Sequence, residues 1–396
     1  MTTKGSMAMS PVIVTGWRTP FGKWKGNLAD LSAKELGTHV VQELLKSVPE
    51  AKQADGVILA EVIQAGQGQN PARQVAAEAG VSLSTPAITL NNVCLGGLAS
   101  AADASRRIVT GEGELFITGG FDSMTNAPYT APFRHELGFG AVEMTDTLFH
   151  DGLRCALTND SMGVLSDRKN RELRIDREAQ DAYAQRSQAR ASEAERNGKL
   201  SKEIAPIHHG AQRFTKDEGI RHDSSLGKLA GLRPAFSKDG TITAGNASQM
   251  SDGASAGIIA SEVTAHRIGK EPLARILGWA EVAGPDASLH LKPAHVIRKL
   301  LDLKRMRIED IDLFEINEAF ASVVIASIRE LGLQNDKVNV NGGAIAIGHP
   351  LAGTGFRLLL TLAHELKRRG GGKGIASLCG GGGQGTAVLI EVPSNW

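Results

Sequence analysis

The chain has 396 residues, room for two to three domains at ~150 residues each and for a large core without staples. Its 44 basic and 43 acidic residues leave a net charge of +1, and aromatics are only 4%, so the basic, aromatic-rich footprint of a nucleic-acid binder is missing. A hydrophobic fraction of 41% with no long apolar run excludes a disordered chain and a membrane-spanning one.

The first stretch alternates strand and helix signals. Pro11 to Gly16 is a β-branched run, Ser32 to Leu45 has helical spacing, and Gly56 to Gln64 returns to strand. Pro71 to Ala79 reads as helix and Ala87 to Val93 as strand; an Ala-rich helix and the strand Glu114 to Thr118 follow. Such alternation predicts a parallel sheet with crossover helices. From residue 120 to 248 the chain is more polar, with one clear helix, Arg177 to Asn197, capped by Asp176 and closed by Gly198. The mixed charges of Asp167 to Arg177 read as a solvated face. The last part repeats the opening order: strand Ala274 to Val282, helix Pro293 to Leu303, strand Asp312 to Ile316 and helix Ala321 to Leu331. Strand Val338 to Val340, helix Leu351 to Arg369 and strand Gly374 to Leu378 complete it. Leu59 to Gln64 and Leu313 to Glu318 even match in local pattern. The order predicts two duplicated α/β halves, 1–119 (completed by about 249–271) and 272–396, around an inserted loop domain, 120–248.

Glycine numbers 46, roughly 12% against a usual ~7%, and its clusters mark the candidate chemistry. Cys94 sits in Asn91-Asn92-Val93-Cys94-Leu95-Gly96-Gly97 at a strand-to-helix junction, where free N–H groups and the helix dipole are expected to lower a thiol pKa. Cys379 precedes four glycines, Gly380 to Gly383, directly after a strand; backbone N–H groups can there reach a ligand oxygen. His349 occupies the second half's counterpart of the Cys94 junction, so a pseudo-two-fold would bring imidazole to thiol. Asn317 ends another second-half strand, where open α/β sheets place ligands; Glu318 beside it suits a buried structural acid. Gly372-Lys373-Gly374 lacks the frame of a phosphate loop, and His208-His209 lacks partners at metal spacing. Three cysteines, Cys94, Cys155 and Cys379, cannot staple a fold and suit a reducing compartment. The stretch from Met1 to Ser10 has no signal-peptide pattern, so a cytoplasmic enzyme is expected.

Together these segments resemble the thiolase family over essentially the whole chain. The resemblance rests on Arg18-Thr19-Pro20-Phe21-Gly22-Lys23, Cys94, Gly119 to Met124 and Gly245-Asn246-Ala247-Ser248. Asn317-Glu318-Ala319-Phe320, Gly348-His349-Pro350 and Cys379-Gly380-Gly381-Gly382-Gly383 complete it. It implies a five-layer αβαβα fold of two duplicated halves and ping-pong acyl transfer through an acyl-Cys94 intermediate. In that family's scheme His349 takes the Cys94 proton and Cys379 moves the α-proton. One oxyanion site uses His349 and a water on Asn317, and the other the N–H groups of Cys94 and Gly381. It further implies coenzyme A or acyl-CoA as substrate, no permanently bound cofactor and no metal, and a homodimer or homotetramer without nucleic-acid or membrane partners. Asp217, Glu218, Arg221 and Leu226 to Phe236 resemble the CoA-facing loop, with Arg221 and Ser248 as CoA contacts. Gly96, Ser161, Leu289 to Pro293 and Ala352-Gly353-Thr354 depart from the family pattern, all in pocket lining. Two alternatives stay open: a decarboxylating ketoacyl-synthase-like condensing enzyme, against which Cys379 argues, and a catalytically silent CoA-binding protein.

Overall fold

The computed structural model describes residues 10–134 and 139–394; most of the Met1 to Ser10 stretch lies outside it. Nine main strands follow in chain order. They are β1 Pro11–Arg18, β2 Gly56–Ala60, β3 Ala87–Leu90, β4 Leu115–Ser123, β5 Ser251–Ser261, β6 Ala274–Ala283, β7 Leu313–Ile316, β8 Gly372–Gly380 and β9 Gln384–Val392. The principal helices are α1 Ala33–Ser47, α2 Pro71–Ala79, α3 Gly96–Thr110, α4 Met162–Glu172, α5 Arg177–Arg196, α6 Lys292–Lys304, α7 Ala321–Leu331 and α8 Thr354–Arg368.

Hydrogen bonding orders the strands β7-β8-β9-β6-β1-β5-β4-β2-β3. The order is symmetric about the β6–β1 contact, where Val12 and Ile13 pair with Arg275 and Ala274. In the first half β3, β2 and β4 run parallel, and β5 and β1 add antiparallel. In the second, β7 and β8 run parallel, and β9 and β6 add antiparallel. The expected strand at Val338 to Val340 shrinks to one parallel bridge, Val338 to Phe314, in the place that β3 holds in the first half. The wholly parallel sheet expected from alternation is therefore mixed. In the second half β8 turns straight into β9, a hairpin that must be antiparallel. In the first half the equivalent pair is β4 and β5, and the chain from Met124 to Met250 is inserted where its counterpart has only the glycine turn. β4 itself continues through Gly119 to Ser123, past the compositional change at residue 120.

Period-two alternation sorts each strand's side chains between layers. Val57 and Leu59 of β2 join the core under α1 and α2, whereas Ile58 faces α3. Phe314, Ile375 and Leu389 pack outward against α6 and α7, while Leu313, Ala376 and Ile390 face α8. The result is α1 and α2, the first half-sheet, α3 with α8, the second half-sheet, then α6 and α7. The five-layer αβαβα expectation holds.

The central pair, α3 and α8, is buried on all sides, which explains the small residues Ala99, Ser100, Ala101, Ala102, Ala104 and Ser105. Their first turns cross at van der Waals contact. A methyl group on Gly97 would lie 2.5 Å from the Ala352 carbonyl oxygen and 3.0 Å from the Phe356 nitrogen, and one on Gly355 would run into the Leu98 nitrogen. Overpacking such a contact destabilises by ~1–3 kcal/mol. Gly97→Ala is therefore expected to lower the unfolding free energy from urea titration by an amount in that range. Gly227→Ala, with nothing within 4 Å of the added methyl, should stay within about 0.5 kcal/mol of the parent.

Candidate active site

Cys94 follows β3 by a tight turn. Val93 just before it has φ +48°, a left-handed conformation that a β-branched residue avoids and that stores of order 1–3 kcal/mol. This turn presents the Cys94 sulfur to a narrow cleft of about 60 Å³. The same cleft is lined by His349, Cys379, Gly381 and Ser248, with Leu153, Met162, Leu289, Phe320 and Leu351 as its apolar walls. Cys379 comes from the last turn of β8, and its pair across the hairpin is Gly385. Gly382 and Gly383, at φ +77° and +72°, close the turn and leave the Gly381 N–H where it favours the Cys94 thiolate.

A helix start predicts a lowered thiol pKa; the structure gives the opposite. Burial first, and the nearby Asp122 carboxyl second, push the Cys94 thiol up to about 12, while its own N–H and that of Gly381 pull it back. Burial likewise raises Cys379, reinforced by Cys94. Burial thus favours the neutral thiol at both Cys94 and Cys379. Asp122 is itself raised to about 7 by burial. It accepts from the N–H groups of Val62 and Ile63 at 3.0 and 3.1 Å and from Ala352 at 2.7 Å, so it ties the Cys94 side of the cleft to the start of α8.

His349 is held at both ends. Its backbone N–H donates to Gln249 O and to Ser251 Oγ, both at 3.1 Å. Its Nδ1 lies 2.7 Å from Thr354 Oγ1. Thr354 gives its own hydroxyl proton to Pro350 O at 3.3 Å, so Nδ1 carries the ring proton and Nε2 keeps its lone pair. Burial, and secondarily the Arg357 charge, lower the imidazole to about 3, which keeps it neutral. Asn317 Nδ2 stands 3.5 Å from Nε2. Asn317 Oδ1 is buried and meets no donor among the described residues, which suits it to a proton brought by water or substrate.

The structure thus brings Cys94, Cys379, His349, Gly381 and Ser248 together, with Asn317 against the imidazole. Arg221 stays outside: it is exposed, and its N–H bonds Gln188 Oε1 at 2.7 Å. Asp217 and Glu218 have partners within the protein. Asp217 is buried in a bidentate pair with Arg18, at 2.6 and 2.9 Å, and Glu218 accepts from the Lys23 and Asn27 N–H groups. Glu318 is the structural acid anticipated, taking Tyr183, Ser187 and the Ile345 N–H. Asp167, read from sequence as part of a solvated face, is buried and accepts from the N–H groups of Thr241 and Ile242. Sequence reasoning missed the positioning roles of Thr354 and Asp122; a hydroxyl five residues after His349, at the start of the following helix, was the available signal for the first.

Family models for the thiolase N-terminal domain and the thiolase C-terminal domain match residues 11–263 and 270–392. The chain belongs to the thiolase family. A probable acetyl-CoA acetyltransferase of Mycobacterium leprae is 44% identical over 387 residues, covering 96% of this chain and 98% of that one. The acetyl-CoA acetyltransferase of Chromobacterium violaceum is 43% identical over 392 residues, covering 97% and 100%. The crystal structure of the Bacillus anthracis acetyl-CoA acetyltransferase superposes with a TM-score of 0.92 at 38% identity, covering 96% of this chain and 98% of that one. This thiolase is an acyltransferase of the thiolase type, and thiolases work on CoA substrates. No helix among its described residues is long and apolar enough to cross a membrane.

Two outcomes follow for the resting thiolase. Alkylation of Cys94 by iodoacetamide should rise steadily from about pH 6 to 10, without the plateau near neutrality that a stored thiolate produces. Thr354→Val, which removes the acceptor for Nδ1–H, should lower kcat about 10- to 100-fold, part of the ~10²–10⁴ that a positioned base supplies. Thr354→Ser should restore most of it.

Proposed function

We propose that the enzyme interconverts 3-ketoacyl-CoA plus coenzyme A with two shorter acyl-CoAs, the simplest case being two acetyl-CoA and acetoacetyl-CoA. In the condensing direction the Cys94 sulfur attacks the thioester carbonyl of the first acetyl-CoA as its proton passes to His349 Nε2. The C–S bond to CoA breaks, and Cys379 gives its proton to the leaving CoA sulfur. Cys379, now a thiolate, takes an α-proton from the second acetyl-CoA. The carbon electron pair attacks the acetyl group on Cys94, and the Cys94 sulfur leaves and recovers its proton from His349. Thiolysis runs the same steps backwards.

Negative oxygen forms twice. The N–H groups of Cys94 and Gly381 serve the oxygen of the Cys94 thioester, and protonated His349 with a water on Asn317 Oδ1 serves the enolate. Each such donor is worth ~3 kcal/mol of barrier. The observation that carries this reading is the convergence of both sulfurs and the imidazole on one cleft. A cavity this small, walled by Met162, Leu289 and Phe320, favours short acyl groups. Ser248 is assigned to the pantetheine arm and Arg221, at the surface, to the CoA phosphates; coenzyme A enters as substrate, with no permanently bound cofactor. Assembly as a homodimer or homotetramer and a cytoplasmic location belong to the same reading.

The test is thiolysis of acetoacetyl-CoA with variants. Cys94→Ala should abolish it. Cys379→Ala should leave alkylation of Cys94 intact but stop carbon–carbon cleavage. Asn317→Ala should lose about 100-fold in kcat with little change in KM. Full activity of Cys94→Ala would end the reading.

A further inference from the structure

A buried cation lies behind the Cys379 turn. Lys292 is the first residue of α6 and 1% exposed. A lysine is almost never fully buried unless paired, and the start of a helix opposes positive charge. Its Nζ donates to Gly284 O at 2.8 Å and to Asp286 Oδ1 at 3.0 Å. Asp286 also takes Lys169 of α4 at 3.1 Å. This segment is built against the hairpin that holds Cys379. The Gly284 N–H donates to Gly383 O at 3.0 Å. A methyl on Gly385, the cross-strand partner of Cys379, would lie 2.9 Å from the Lys292 carbonyl oxygen and 3.1 Å from its Cβ.

The ionisable groups around the Cys379 sulfur are Cys94 from the α3 side, His349 across the cleft, and Lys292. Around Lys292 are Asp286, Lys169 beyond it, and His290 and His295 on its own segment. Burial and Cys94 raise the Cys379 thiol; its own N–H, and after it the Lys292 charge, oppose them.

We propose that Lys292 is a positioning residue for the carbon–carbon step, its buried ammonium supplying the fixed positive potential that favours Cys379 as a thiolate while Asp286 tempers that potential. The proposal rests on Cys379 being the group that takes the α-proton. In that transfer the proton moves from the acetyl-CoA α-carbon to the Cys379 sulfur, the electron pair stays on carbon as the enolate, and Lys292 neither gains nor loses a proton.

The experiment follows loss of α-deuterium from deuterated acetyl-CoA by the intact enzyme as a function of pH. Lys292→Met should slow exchange about tenfold and move its alkaline-rising limb up by about one pH unit, with Cys94 alkylation within about twofold of the parent. Asp286→Asn, which keeps the cation and removes its counter-charge, should move the limb the other way and carries the test if Lys292→Met fails to fold. Cys379→Ala is the control. If it exchanges like the parent, the assignment of Cys379 is wrong and the proposal goes with it. If it loses exchange while the limb stays put in both charge variants, Lys292 has no such role.

Discussion

Everything in the site depends on one contact, the crossing of α3 and α8 through Gly97 and Gly355. The proposed nucleophile, Cys94, is held by one half of the duplicated fold and the proposed base, His349, by the other, so no local interaction positions them relative to each other. The close approach of two backbones does, together with the bonds from the His349 N–H to Gln249 and Ser251, and side chains of ordinary size would hold those backbones apart. Asp122 reinforces the contact by accepting from Ile63 on one side and Ala352 on the other.

The electrostatics of the cleft follow from how dry it is. Burial penalises both the thiolate and the imidazolium, and the Asp122 carboxyl further opposes a thiolate at Cys94. A resting ion pair of the kind found in cysteine proteases is therefore disfavoured, and the neutral thiol and neutral imidazole persist until a thioester arrives. In the proposed reaction charge then develops beside the N–H groups of Cys94 and Gly381, already in place, and beside an imidazole that becomes a donor once it has taken the Cys94 proton. Desolvation that suppresses reactivity in the empty site strengthens those same donors in the transition state.

Much of this was legible in the chain. The alternation of strand and helix, its repetition and the glycine clusters reveal the duplicated α/β architecture and point to Cys94, Cys379 and His349. What escaped reading did so for physical reasons. The strand β4 hides in Gly119 to Ser123 because two glycines and an aspartate have poor strand propensity, and only the burial of both sheet faces makes them a strand. The expected strand at Val338 was lost to one bridge, since three residues cannot be assigned a period. The thiol's raised pKa was invisible because a helix start is local and burial is not. Asp167 looks like surface charge, and Asp217 like part of a CoA-facing loop, until tertiary partners, the Thr241 N–H and Arg18, are brought to them. Lys292 looks like an ordinary helix lysine for the same reason.

The proposed mechanism stands on the two halves combining into a single acyl-transfer site in which the Cys94 sulfur carries the acyl group. Peptide mass spectrometry of the enzyme quenched during turnover of acetoacetyl-CoA tests this. An acetyl group is expected on the peptide containing Cys94, and none there when His349 is replaced by alanine. An acetyl group found instead on Cys379 or Cys155, or acylation of Cys94 indifferent to His349, would contradict it.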